Sequence, residues 1–246
     1  MVAMPGPAII LAAGRGGRLR SLGWTKPKCL LEIAGRTLLD RCISAVLKTG
    51  VERVVLVVGY QRESIEAAVA ASPYAGRVSY IVNPDFAETN TLHSLWLARG
   101  HFRDGFWLFN GDVIFDAEIL TLLAKQKETA LAIETKFCGE EEVKVIVDVD
   151  DSCMRIGKAL DPSACAGEFV GIARFDGAIV PALVTSLNRH NATADGRDQF
   201  FEAAIDDLLD EEDIRAISIN PLRAVEIDTP EDFERAAATF VSPSIP

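Results

Sequence analysis

Residues 11–31 read LAAGRGGRLRSLGWTKPKCLL. Three glycines fall within four positions (Gly14, Gly16, Gly17), and Arg15, Arg18, Arg20, Lys26 and Lys28 share the stretch with no acid. Glycine lets a backbone approach a ligand closely and present its N–H groups. Arginine and lysine beside those amides add fixed positive charge for phosphate oxygens. The chemistry this predicts is the cradling of a nucleoside triphosphate. Two familiar cradles are excluded. No Gly-x-x-x-x-Gly-Lys-Ser/Thr run is present. A dinucleotide fingerprint started at Gly14 fails because its third glycine position holds Leu19.

Two acids supply the second half of the chemistry. Asp112 follows the apolar run 106–109 and Asn110-Gly111, which places it at the carboxyl end of a buried strand, where open α/β sheets bind ligands. Asp228 follows 224–227 in the same way. Two carboxylates near a phosphate cradle suit Mg²⁺, which takes one or two of them and completes its shell with phosphate and water. Glu226, two residues from Asp228 on one strand face, is a third candidate ligand. The plainer readings are a loop aspartate for Asp112 and, for Asp228, a residue flanking the helix start at 229–232.

The elements that must position these groups alternate. Residues 8–11, 53–58, 78–82 and 106–109 read as buried strands, and 37–49, 64–70, 91–100 and 117–127 as helices between or after them. Thr37 is the expected N-cap and Gly50 the C-terminal stop of the first helix. This βαβα order predicts a mostly parallel twisted sheet with helices on both faces, a Rossmann-like three-layer sandwich. After residue 129 strands crowd together (130–134, 143–149, 154–158, 169–175), with a polar turn at 148–152. They predict a smaller mixed layer over the main sheet. Helices at 177–187 and 198–209, strands at 214–219 and 224–227, and a helix from Pro230 complete one domain over 1–246. Residues 1–128 are read as mainly nucleotide-binding, 129–223 as mainly acceptor-binding, and 224–246 as the second metal-ligand segment with a closing helix.

Composition narrows the class. The 246 residues are 49% hydrophobic and 25% charged, the balance of a chain that buries a core. No apolar run approaches membrane-spanning length, and no positive charge precedes 8–13, which argues against a secretory signal. Five cysteines without a Cys-x-x-Cys pair read as reduced, buried small hydrophobes, and the expected location is cytoplasmic. His93, His101 and His190 show no partner pattern. The net charge of −11 argues against nucleic-acid binding. Its distribution is lopsided: residues 1–62 hold 10 Lys+Arg against 3 Asp+Glu, and the remainder 15 against 33. Positive charge therefore gathers where the triphosphate is expected, and negative charge where metal and acceptor are expected.

The motifs LAAGRGGRL, PKCLLEIAGR, NGDVIFD and VEIDTPEDFERA together resemble the NTP-transferase family, and NPDFAETNTLHSLWLA resembles its cytidylyltransferase branch. That branch acts with CTP on phosphocholine, inositol phosphate or 2-aminoethylphosphonate. The resemblance implies that Leu11, Ala12, Ala13 and Gly14 hold base and ribose, and that Arg18 and Lys28 contact the phosphates and carry catalysis. It implies nucleotide contacts from Asn83, Asn90, Ser94 and Asp112. Lys144 and Lys158 would face the acceptor phosphate and Glu168 its polar groups, while Asp112, Glu226 and Asp228 would hold Mg²⁺. The expected partners are CTP and a small phospho- or phosphono-alcohol, with no nucleic acid and no membrane insertion; a homodimer is left open. A UTP- or GTP-dependent sugar-1-phosphate enzyme and a non-catalytic nucleotide-binding homologue are the competing readings.

Overall fold

The computed structural model describes residues 6–241. Residues 1–5, the start of the segment read for a leader sequence, and 242–246, the end of the closing segment, lie outside them. Strand β1 (Ala8–Ala12) is buried along its whole length and runs into the basic glycine loop, which holds short 3-10 turns at Gly17–Leu22 and Lys28–Leu30. A small ribbon, β2 (Glu32–Ile33) with β3 (Arg36–Thr37), leads to helix α1 (Leu38–Lys48). The Thr37 hydroxyl accepts from the Asp40 N–H at 3.0 Å, the N-cap expected there. Next come β4 (Val54–Val58), α2 (Arg62–Ala70), β5 (Val78–Val82), α3 (Thr91–Ala98), β6 (Gly105–Asn110), β7 (Val113–Phe115) and α4 (Glu118–Ala124). The strand-rich section holds β8 (Thr129–Glu134), β9 (Lys144–Val147), β10 (Cys153–Gly157) and the ten-residue β11 (Gly167–Asp176). Helices α5 (Val180–Asn191), α6 (Ala194–Arg197) and α7 (Glu202–Asp206), strands β12 (Ile214–Ser218) and β13 (Ala224–Glu226), and α8 (Pro230–Val241) follow.

Strands β5, β4, β1 and β6 lie side by side and parallel, the product of the alternating first half. Their faces are separated by the two-residue period of a strand. Ala8, Ile10, Val54, Leu56 and Phe109 join a core under α1, α2 and α4, while Ile9, Leu11, Val55, Val57 and Leu108 join a second under α3, α5 and α7. The layered sandwich follows from that alternation. Among the described residues no helix is long and apolar enough to cross a membrane.

The structure departs from expectation in three places. Strands after residue 129 do not form a separate layer: β11 runs antiparallel beside β6 and carries β8 and β9, so the section extends the main sheet to nine strands. The helix expected over 198–209 is present only as the shorter α7, and α6 ends just before that range. Residues between them spend their backbone groups on the start of α3, where Leu92 N–H donates to the Gln199 carbonyl and Phe201 N–H to the Thr91 hydroxyl. Finally β13 does not enter the sheet. It pairs antiparallel with β7, a strand not foreseen, as a separate two-stranded ribbon.

A third apolar cluster lies under that ribbon. Leu19 from the glycine loop, Leu31 and Ile33 from the segment after Lys28, Ile114 from β7, and Val225 and Ile227 pack together, with Ala236 of α8. Each is within a few residues of a charged group discussed below. Ile227 is fully buried, so Ile227→Ala is expected to cost about 2–5 kcal/mol of stability. Thermal or denaturant unfolding followed by circular dichroism checks this.

Candidate active site

Three distant segments meet at one ammonium group. Lys28 Nζ donates to Asp112 Oδ2 at 3.2 Å and also to Asp228 Oδ1. Arg18 reaches Asp228 Oδ2 at 3.1 Å from a mostly exposed position. The local backbone explains how. Gly16 has φ +58°, and a Cβ there would run into the aliphatic stem of Lys28. Gly111 donates its N–H to the Leu11 carbonyl at 2.9 Å, and a Cβ would lie 2.6 Å from that oxygen. Only glycine lets the end of β6 come this close to β1, and Asp112 is the next residue. The ribbon completes the set, because Glu226 pairs with Val113 and Ile227 N–H donates to the Asp112 carbonyl at 3.0 Å.

Charge at this point is tightly balanced. Burial alone would lower the proton affinity of Lys28, yet Asp112 and Asp228 outweigh it and hold the ammonium above its ordinary pKa. Burial would raise Asp228, and Lys28, Arg18 and Lys158 bring it below the usual carboxylate range instead. Glu226 behaves oppositely: burial first, then the charges of Asp112 and Asp228, push it well above that range. Its Oε1 accepts from Asn110 Nδ2 at 3.4 Å. Asp112 and Asp228 fit Mg²⁺ as the carboxylate pair that such an ion combines with substrate phosphate. Glu226 does not complete a three-ligand set with them: among the described residues no three Asp, Glu, His or Cys side chains form a metal-binding group.

These residues form the middle of a cleft of about 770 Å³. Leu11, Gly14, Arg18 and Lys28, from the first strand and its loop, give the cleft one set of lining residues; Lys136, Lys158, Glu168, Phe200 and Glu202, from later in the chain, give it another. In the second set Lys136 bridges Glu134 at 3.2 Å and Glu168 at 2.5 Å. Burial raises the Glu168 pKa and the Lys136 charge opposes it, leaving a net rise. Lys158 places its ammonium 4.5 Å from the centroid of the Phe200 ring. Glu202, at the start of α7, is 4% exposed, and its Oε2 has no hydrogen-bond partner. Burial pushes its pKa up to about 7, against a hydrogen bond from its own amide and the charge of Lys158.

Of the residues expected at the site, the structure brings Leu11, Gly14, Arg18, Lys28, Asp112, Lys158, Glu168, Glu226 and Asp228 to this one cleft. Others are employed elsewhere. Lys144 is 0% exposed and does not face the cleft; its ammonium donates to the carbonyls of Glu140, Glu142 and Lys158, so it clamps the β9–β10 region. Lys136, like Lys158, lines the cleft. Asn83 Nδ2 donates to Thr89 and Ser94, and its Oδ1 accepts from Asp85 N–H, so Asn83 and Ser94 shape the turn before α3. Asn90 caps α3 by accepting from Thr91 N–H at 2.8 Å. Ala12 and Ala13 are buried beside the cleft, and the Ala13 carbonyl accepts from Tyr60 N–H. Sequence reasoning missed Lys136, Asn110, Phe200 and Glu202. Asn110 could have been found as the strand-end residue of NGD; Glu202 reads as an ordinary helix-surface acid.

A family model described as a MobA-like NTP transferase domain matches residues 8–151. The CMP-5'-(3-aminopropyl)phosphonate synthase of Streptomyces rubellomurinus is 40% identical over 129 residues, 52% of this chain and 20% of that protein. The UTP–glucose-1-phosphate uridylyltransferase AglF of Haloferax volcanii is 32% identical over 121 residues, 49% of each. The chain thus spans from a fifth to a half of the length of these relatives. A solved structure of the CTP:phosphocholine cytidylyltransferase from Streptococcus pneumoniae superposes with a TM-score of 0.81 at 20% identity, over 96% of this chain and 99% of that one, a likeness of fold.

The unpartnered Glu202 carboxyl has a measurable signature. Its folded-state pKa of about 7 lies above the unfolded value near 4.5. The folded protein therefore holds a proton that the unfolded chain has lost, and stability falls as pH rises from 4.5 through 7. Glu202→Gln is expected to raise Tm by several degrees at pH 8, corresponding to at most about 3 kcal/mol, and to change it little at pH 4.5. Paired thermal melts at the two pH values check this.

Proposed function

We propose, from the premise that this chain belongs to the MobA-like NTP transferase domain family, that it transfers CMP from CTP to a small phosphorylated or phosphonylated acceptor and releases pyrophosphate. The observation that carries this reading is the meeting of Lys28 with Asp112 and Asp228 on the floor of the cleft, between a cationic loop and an acid-lined wall. The 40% identity to a CMP-phosphonate synthase favours cytidine and a phosphonate-type acceptor.

An acceptor phosphate monoester is mostly dianionic at neutral pH, since its second pKa is near 6. It needs no protein base to become a nucleophile, and the reaction reduces to alignment and charge stabilisation. Gly14 and Arg18 lie where the triphosphate would be cradled. Lys28, kept protonated by its two carboxylates, faces the negative charge that builds on the transferring group and on departing pyrophosphate. Lys158, on the opposite wall, would orient the acceptor phosphate. Asp112 and Asp228 would hold Mg²⁺, which when bound supplies further neutralisation of phosphate oxygens.

A second reading has its own support: the 32% identity to a uridylyltransferase of glucose 1-phosphate keeps UTP with a sugar phosphate in play. Pyrophosphate release measured with each nucleotide and a panel of acceptors separates the two, and a tenfold preference for UTP would replace cytidine in the proposal.

Asp112→Asn and Asp228→Asn, each nearly isosteric, are expected to lower kcat by roughly 10²-fold or more while leaving circular dichroism unchanged. Full turnover in EDTA-treated protein would remove Mg²⁺ from the proposal.

Lys28→Ala is expected to lower kcat more than it raises KM for CTP, because its contact strengthens as charge develops. Steady-state kinetics at varied CTP that show a change in KM alone would reduce Lys28 to a binding residue.

A further inference from the structure

We infer that the carboxylate of Glu202 receives a primary or secondary amine of the acceptor, making the second substrate an aminoalkyl phosphate or phosphonate. The inference rests on the transferase reading for the reaction but on a separate observation for the site. Acids on the far wall of the cleft are mostly matched from within. Glu134 and Glu168 share Lys136, and Glu142 Oε2 accepts the Gly139 N–H. Glu202 differs: it is 4% exposed, lines the cleft, and has an oxygen with no donor. Burying an unpaired carboxyl costs stability, a cost that a ligand donor would offset.

The surroundings select the donor. Phe200, next but one to Glu202 and 42% exposed, already lies beneath the Lys158 ammonium, so this end of the cleft accommodates cationic nitrogen. Lys158 itself is left to face an anionic group of the same small molecule. A primary ammonium brings three N–H donors to a carboxylate with an unpartnered oxygen, whereas a trimethylated nitrogen brings none. A neutral hydroxyl could reach the same oxygen, but it brings one donor and no charge to it.

Isothermal calorimetry with 2-aminoethylphosphonate and 2-hydroxyethylphosphonate tests this without turnover, on the wild-type protein, Glu202→Gln and Glu202→Asp. The wild type should bind the amine at least tenfold more tightly than the alcohol. Glu202→Gln should bring the two affinities within about twofold, chiefly by weakening the amine. If Glu202→Gln fails to fold, Glu202→Asp decides: amine binding should weaken at least threefold with the alcohol unchanged, and equal losses on both would overturn the inference. It is overturned as well if the wild type shows no amine preference, binds neither ligand, or keeps its preference in Glu202→Gln. Pyrophosphate release from CTP is measured in parallel. A wild type that selects the amine yet shows no turnover would overturn the transferase reading alone.

Discussion

Two aspartates held side by side repel each other, and the Lys28 ammonium between Asp112 and Asp228 is what makes their proximity tolerable. Much of the local architecture exists to keep that arrangement in place. Gly16 clears a path for the lysine stem, and Gly111 lets β6 close on β1. The β7–β13 ribbon brings position 228 beside position 112. Beneath it, the third apolar cluster ties the loop, the Lys28 segment, the ribbon and α8 into one block. Charge that would be weak and screened on a surface is thereby fixed in a half-buried place, where its influence on neighbouring groups is larger.

The cleft is polar in the directional sense. One wall is a cationic loop from the first sixty residues, and the other draws on the acidic remainder of the chain. The family-matched span, 8–151, contains the first wall and Asp112 but stops short of Lys158, Glu168, Glu202, Glu226 and Asp228.

The glycine loop, the parallel strands and the strand-end acids were legible because each leaves a local pattern: unbroken apolar runs, a basic stretch without acids, an aspartate after a buried strand. What was not legible depended on partners far along the chain. Strands β7 and β13 are three residues each and acquire identity only by pairing with one another. Lys144 was expected to face an acceptor, and its ammonium donates to three carbonyls instead, while Lys136, not singled out in the sequence, lines the cleft. Asn83, Asn90 and Ser94 have types suited to reading a base, and in the fold they also hydrogen-bond within the turn and cap that start α3. Glu202 was hidden for the opposite reason, because a carboxylate at a helix start is ordinarily solvated and here it is not.

The ribbon also sets a condition on folding. Lys28 and Asp228 lie 200 positions apart, and β13, the strand just before Asp228, pairs with β7. Until those two short strands meet, Lys28 faces the single carboxylate of Asp112. The charge cluster therefore closes only with a contact between segments far apart in the chain, and neither segment can form it alone.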